Sequence, residues 1–183
     1  MSHLTYAEAG VIGLLQGITE LFPVSSLGHA VLIPAIIGGQ WAHDLDVSTA
    51  ESPYLAYIVG LHVATATAMI IYFWRDWLRI IKGFFASIGH MIAPAPGTAR
   101  FSFLLSAPVI LAAGVLKIPD LTGPLSAGIK GPILFGSLLS GLGAYFALRF
   151  LVRYFSDPKR TLTPFAIYCL AAGLGSFIYL AVR

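Results

Sequence analysis

Between Gly10 and Gln40 the chain reads VIGLLQGITELFPVSSLGHAVLIPAIIGGQ after its first glycine. Two apolar arms of about 14 residues flank Phe22-Pro23-Val24-Ser25-Ser26, and a helix that crosses a bilayer needs about 20. Neither arm is long enough to span. Short hydrophobic arms interrupted by Gly and Pro form a re-entrant hairpin, which dips into the membrane and carries polar groups at its tip. No other stretch restricts the fold as strongly, because polar side chains at that depth are costly and must be held by the protein itself.

The arms bring chemistry to the tip by simple geometry. Gln16 and Glu20 are four apart and share one helical face, and Pro23 ends or bends that helix just beyond them. Ser25 or Ser26 is suited to cap the second arm, which leaves His29 in its first turn among backbone N–H groups. A helix end of this kind attracts anions, and a carboxylate, hydroxyls and an imidazole around it suit a phosphate ligand. His29 and Ser26 are both candidate nucleophiles or proton carriers, and one serine can cap while the other reacts.

The rest of the chain agrees with a membrane setting. Hydrophobic residues make up 57% and charged residues 10%, and the mean hydropathy is +0.84. The length suits a single membrane domain over residues 1–183. No basic stripe points to nucleic acid, so the pI near 9.1 is assigned to residues flanking the membrane. Cys169 is the only cysteine, which excludes a disulfide framework, and it reads as a small buried apolar side chain. No basic region precedes the first apolar run, so a cleaved signal peptide is not expected.

Tyr54–Trp74 is long enough to cross and ends in Arg75, Arg79 and Lys82, which places that end in the cytoplasm. The preceding linker, with Asp44, Asp46 and Glu51, then lies outside, and the hairpin opens outward. Phe84–Met91, cut off by Pro94-Ala95-Pro96-Gly97, reads as interfacial or loop. Phe101–Ile118, Pro132–Leu148 and Thr163–Val182 are further spans, and the turn carrying Arg149, Arg153, Lys159 and Arg160 falls on the cytoplasmic side again. The expected fold is an all-α integral membrane protein, a re-entrant hairpin over 8–40 plus about four transmembrane helices.

Trp41, Trp74 and Trp77 are expected as headgroup anchors. Gly136, Ser137, Ser140 and Gly141, together with Gly173 and Gly175, are expected to serve helix packing. His62, inside a crossing helix, is a functional candidate by its position, against the simpler reading of a histidine hydrogen-bonded between helices. His43 and His90 read as solvated.

Gln16-Gly17-Ile18-Thr19-Glu20 followed by Pro23-Val24-Ser25-Ser26-Leu27-Gly28-His29 closely resembles the first signature of the undecaprenyl-diphosphate phosphatase family, the bacitracin-resistance proteins of bacterial membranes. Glu20, Ser26 and His29 fall on matching positions, and Gln16 is an accepted variant of a Glu. The resemblance persists through Leu61–Trp74 and from Phe101-Ser102-Phe103-Leu104-Leu105 to the C-terminus. Family members are longer, and their second signature, Pro-Gly-x-Ser-Arg-Ser-Gly, lies on a second, inverted hairpin. Here Pro96-Gly97-Thr98-Ala99-Arg100 abuts Phe101 directly. Arg100 is either a phosphate-clamping arginine in a compressed motif or a loop residue at a deletion junction near 100/101. Ala99 and Phe101 in place of the two serines favour the junction, and the architecture is then an incomplete inverted repeat.

The resemblance implies a membrane phosphatase in the bacterial inner membrane. It would convert undecaprenyl diphosphate to undecaprenyl phosphate, recycling a cell-wall lipid carrier and conferring bacitracin resistance. It also implies a divalent cation, Mg or Ca, held by Glu20 and Gln16, with Ser25 beside the substrate and Ser26 or His29 attacking. A transporter or flippase with arms meeting at the midplane, and a non-catalytic lipid-binding remnant, are the alternatives. A homo-oligomer is compatible with the sequence.

The distribution of basic residues makes a topological prediction. A cysteine at position 48, in place of Ser48, is expected to react with an impermeant thiol reagent from outside the cell, and one replacing Ser156 is not; reversed labelling would invert the orientation.

Overall fold

The computed structural model describes residues 4–46, 52–87, 107–114, 116 and 128–182, and among them every regular element is helical. In chain order these are α1 (Tyr6–Thr19), α2 (Ser26–Ile37), α3 (Gly39–Asp44), α4 (Pro53–Tyr72), α5 (Trp74–Ser87), α6 (Lys130–Phe155) and α7 (Thr163–Val182). Three helices are long and apolar enough to cross a membrane: Tyr54–Tyr72, Lys130–Phe155 and Thr163–Val182. The protein is an all-α, multi-pass membrane protein. Of the span expected over Phe101–Ile118, residues 107–114 are helical; most of the remainder, like Arg100 and His90, lies outside the described residues.

Local chemistry sets the helix boundaries. At the head of α1, Thr5 accepts from the Glu8 amide at 3.2 Å while the Glu8 carboxylate accepts from the Thr5 amide at 2.8 Å, a reciprocal capping box. The α4 helix starts at a Ser52 cap with Pro53 in its first turn, where a missing N–H costs nothing. Inside α2, Pro34 has no N–H to give to the carbonyl of Ala30. The buried hydroxyl of Tyr54 donates to that carbonyl at 2.9 Å, so an acceptor orphaned in one helix is satisfied by another.

The two arms of the hairpin are 14 and 12 residues long. The outer end of α1 meets the beginning of α6, where Tyr6 packs edge-on against Phe135 with ring centroids 5.7 Å apart, and the middle of α2 meets the beginning of α4 through the Tyr54–Ala30 hydrogen bond. The turn between them reaches further along the bundle. Leu21 packs with Met69, Phe73, Leu148 and Leu151, and Phe22 stacks on Phe150 at 5.9 Å. Both arms therefore enter and leave at one end of the bundle and turn back inside it.

What lets so short an element seat itself is the contact between α1 and α6. A Cβ on Gly13 would collide with the backbone of Gly136, and one on Gly17 with the backbone of Ser140; a Cβ on Gly136 would lie 2.7 Å from the carbonyl oxygen of Ala9. Backbone lies on backbone along about two turns, the close approach small residues permit where lipid gives helices no hydrophobic reason to associate. The Ser140 hydroxyl extends the contact by donating to the Leu61 carbonyl of α4 at 3.4 Å. Two apolar clusters result, one around Ile12, Tyr57, Leu61 and Ile133, the other around Leu21, Met69, Leu148 and Leu151.

Several expectations are corrected. The α6 helix does not stop at Leu148 but runs to Phe155, taking Arg149 and Arg153 into the helix, because nothing before Asp157-Pro158 interrupts it. Of Phe84–Met91, expected as interfacial or loop, Phe84 to Ser87 are not loop but continue α5, the helix that also carries Arg75, Arg79 and Lys82. Gly136 and Ser140 pack as expected, whereas Gly173 and Gly175 meet nothing within 4 Å among the described residues, where α7 lies at the edge of the bundle with its spanning stretch 0% buried. Cys169, on the same edge helix, is exposed rather than buried. Trp74 is exposed, with the Arg75 guanidinium 5.4 Å above its ring, while Trp41 and Trp77 are half-buried against the two clusters.

If the α1–α6 contact holds the hairpin, Gly13→Leu is expected to cost at least about 1–3 kcal/mol, the usual range for overpacking. Gly173→Ala, in open space, is expected to stay within about 0.5 kcal/mol. Thermal unfolding of both variants in detergent, followed by circular dichroism, measures the contrast.

Candidate active site

The polar groups of the hairpin tip converge beside the middle of α4. Gln16 lies one turn before the end of α1, is 1% exposed, and donates through Nε2 to Glu20 Oε2 at 2.7 Å. Ser26, the first residue of α2 and also buried, donates its hydroxyl to the same carboxylate oxygen. From α4, His62 brings Nε2 to 3.2 Å from Gln16 Nε2 and 3.4 Å from Glu20 Oε2. His62 is the tenth of the twenty residues of α4, so the cluster sits near half-depth. It also lies between the two apolar clusters, with Leu61 in one and Ala66 in the other.

The two serines divide the work. Ser25 is the cap: its hydroxyl accepts from the Gly28 amide at 3.2 Å, and its carbonyl accepts from the His29 amide at 3.3 Å and from His29 Nδ1 at 2.7 Å. It holds this position with φ of 63°, in the left-handed region that non-glycine residues rarely enter, and such conformations concentrate at functional sites. The sharp turn frees Ser26 to face Glu20. A hydroxyl within hydrogen-bond reach of a carboxylate is the arrangement of a nucleophile and its base.

His29 is not part of that constellation. Its Nδ1 goes to Ser25, its Nε2 pairs with the Tyr168 hydroxyl, and the two rings are stacked 5.7 Å apart at 3°. Tyr168 sits on α7, so His29 ties the hairpin to the edge helix. Cys169 Sγ adds a second tie, donating to the carbonyl of Pro23 at 3.4 Å. His43 is solvated as expected, its ring 87% exposed beside Asp44.

The donor set can be tested against the divalent cation. Among the described residues no group of three or more His, Cys, Asp or Glu comes together, so there is no all-protein cage. A hard cation of the Mg type instead keeps waters and takes one or two protein oxygens plus those of a phosphate. Two oxygens fit: Gln16 Oε1 is buried without a hydrogen-bond partner, and the hydrogen bonds to Glu20 all fall on Oε2, leaving Oε1 open.

Sequence reasoning grouped Gln16, Glu20 and Ser26, and the structure brings these together; it grouped His29 with them, and the structure turns that ring toward Tyr168. His62, a candidate by its position in the sequence, joins them, and Tyr168 is engaged through His29. An ionisable residue at the centre of a spanning helix was the available signal for the first. For Tyr168 there was none.

A short-armed hairpin inside a helical bundle, with a carboxylate, a buried amide, a hydroxyl and an imidazole meeting at half-depth, defines an integral membrane protein with an intramembrane polar site. Comparison with known proteins gives the family. The profile of bacitracin resistance protein BacA matches residues 9–95 and 93–175, and the chain belongs to that family. It is 38% identical to the undecaprenyl-diphosphatase of Mycolicibacterium paratuberculosis, with 100% of this chain and 99% of the relative covered. Identity to the undecaprenyl-diphosphatase of Mycobacterium avium is also 38%, over 100% and 99% of the two chains. It is 32% to undecaprenyl-diphosphatase 2 of Frankia alni, over 94% and 97%. The first of these alignments extends over 305 positions against 183 residues here, so more than a third of its positions have no counterpart in this chain. No solved structure matches.

The strained cap makes a prediction of its own. Ser25→Val puts a β-branched residue at positive φ and removes the cap, and is expected to cost about 2–4 kcal/mol. Ser25→Gly, which relaxes the backbone, is expected to change stability by only a few tenths, about 0.5 kcal/mol at most. Thermal unfolding in detergent separates the two; equal losses would mean that the turn is not strained.

Proposed function

We propose that this chain is an undecaprenyl-diphosphatase, hydrolysing undecaprenyl diphosphate to undecaprenyl phosphate and inorganic phosphate. The observation that carries the reading is the convergence of the Ser26 hydroxyl and the Gln16 amide on one carboxylate oxygen of Glu20. In this reading the Ser26 Oγ attacks the terminal phosphorus, an O–P bond forms, the bridging P–O bond breaks, and undecaprenyl phosphate leaves. Glu20 Oε2, already accepting the Ser26 hydroxyl, takes its proton. Glu20 passes that proton to the departing phosphate oxygen; a water then attacks the phosphoserine, Glu20 takes a proton from that water and returns it to Ser26 Oγ as the Ser26 O–P bond breaks, and phosphate is released with Ser26 restored.

A divalent cation, when bound, would screen the negative charge of the diphosphate and polarise its oxygens. Gln16 Oε1 and Glu20 Oε1 are the groups that would hold it. His29 serves the reaction by locking the α2 end of the turn through Ser25 and Tyr168, and Ser25 supports the substrate side of that end. The site opens toward the outer face in this reading, since Arg75 and Arg79 follow α4, Arg149 and Arg153 lie in the last turns of α6, and Lys159 and Arg160 follow it. Bacitracin resistance and recycling of the lipid carrier follow from the same activity.

The test is phosphate release from undecaprenyl diphosphate by the purified chain in detergent. Glu20→Gln and Ser26→Ala are each expected to lower turnover by about 100-fold or more, the scale of a lost general base or nucleophile. His29→Ala should cost less, and chelation should stop the reaction. Turnover of Ser26→Ala within tenfold of the parent would exclude it as the nucleophile.

A further inference from the structure

The C-terminal end of α6 carries a polar feature that the reaction above does not use. Lys130 and Arg149 bracket a stretch without a charged residue, and at about 1.5 Å per residue that stretch is about 28 Å long, close to the roughly 30 Å of a hydrocarbon core. Arg153 stands one turn beyond that boundary, at the level of the lipid headgroups. There Phe150, Arg153, Tyr154, Asp157 and Arg160 line a pocket of about 330 Å³.

The pocket is held in shape from within. The Tyr154 hydroxyl donates to the carbonyl of Thr161 at 3.1 Å, which folds the chain after α6 back against it, and Phe165 packs edge-on to the same ring at 5.6 Å. The Arg160 guanidinium lies 5.2 Å above the Tyr154 ring, with its Nε 3.5 Å from Asp157 Oδ2. Asp157 Oδ1 accepts from the Lys159 amide at 3.0 Å, so both carboxylate oxygens are engaged. Arg153 has no side-chain partner among the described residues. Two guanidinium groups against one carboxylate leave a positive charge unbalanced, and the planar fork of a guanidinium matches phosphate oxygens.

The surface leading to the pocket is apolar. Leu138, Leu142, Phe146 and Phe150 are exposed and lie on one i, i+4 ridge of α6 that continues into Tyr154. A dissolved anion has no use for that ridge, whereas an acyl chain lies along it with its phosphate at the two arginines. We propose that this pocket binds one anionic glycerophospholipid by its phosphodiester, with the acyl chains along the ridge from Leu138 to Phe150. A phosphodiester brings the single negative charge that the pocket lacks. The ammonium of a zwitterionic headgroup finds no free oxygen on Asp157.

The experiment is native mass spectrometry of the full chain, released from detergent with phosphatidylglycerol and phosphatidylcholine of the same acyl chains. The parent is expected to retain one phosphatidylglycerol over phosphatidylcholine by about fivefold or more. Arg153→Gln and Arg160→Gln, at exposed positions, should each weaken phosphatidylglycerol binding about fivefold, the scale of one basic residue at a headgroup, and leave phosphatidylcholine unchanged. The double variant Arg75→Gln, Lys82→Gln removes basic charge from α5 without touching the pocket and should change the affinity less than about twofold. Circular dichroism checks that each variant is folded. Equal retention of the two lipids, or a comparable loss in the Arg75 and Lys82 double variant, would overturn the site. Displacement of the bound lipid by millimolar inorganic phosphate would make the pocket a site for a free anion and overturn the lipid assignment.

Discussion

The structure depends on the backbone contact between α1 and α6. In lipid an apolar helix gains little by leaving its solvent, so an arm of 14 residues that cannot span must be held by close packing. Gly13 and Gly17 on one side and Gly136 and Ser140 on the other remove every side-chain atom that would keep the two backbones apart. Because Gln16 is next to Gly17, the same contact sets the rotation of α1 that turns Gln16 toward α4. The glycine contact and the site are therefore parts of one device: without the first, the polar face of α1 would have no defined neighbour.

A carboxylate at that depth is expensive unless donors surround it. Glu20 is 14% exposed and receives hydrogen bonds from its own helix, through Gln16, and from the opposite arm, through Ser26. The same economy of polar groups recurs away from the site, where Pro34 strands a carbonyl and Tyr54 recovers it, and where the Tyr57 hydroxyl donates to the carbonyl of Ala9. Against this background Gln16 Oε1 is buried without a hydrogen-bond partner, as Trp77 Nε1 also is away from the site.

Membership of the BacA family rests on two matched segments that meet at residues 93–95. The first contains Gln16, Glu20, Ser26, His29 and His62; the second contains α6, against which α1 is packed, and Tyr168, which holds His29. The site side chains all come from the first segment, and the second packs against the arm that carries Gln16 and Glu20. Among the described residues α7, with Gly173 and Gly175 in open space, is the helix least engaged with the rest.

The sequence by itself determined whatever depends on lengths and spacings within one segment. Arms too short to span predicted a hairpin, a four-residue separation put Gln16 and Glu20 on one face, and runs of apolar residues located α4, α6 and α7. Tertiary structure decided what depends on segments meeting. It chose Ser25 for the cap and Ser26 for the carboxylate, brought His62 to Gln16 across 46 positions, and drew His29 to Tyr168 across 139. It also left Cys169 exposed on an edge helix whose composition alone reads as buried. The reason is physical: hydrophobic length and helical period are properties of a local stretch, whereas a hydrogen-bond partner at half-depth is whatever the packing of another helix places within 3 Å or so.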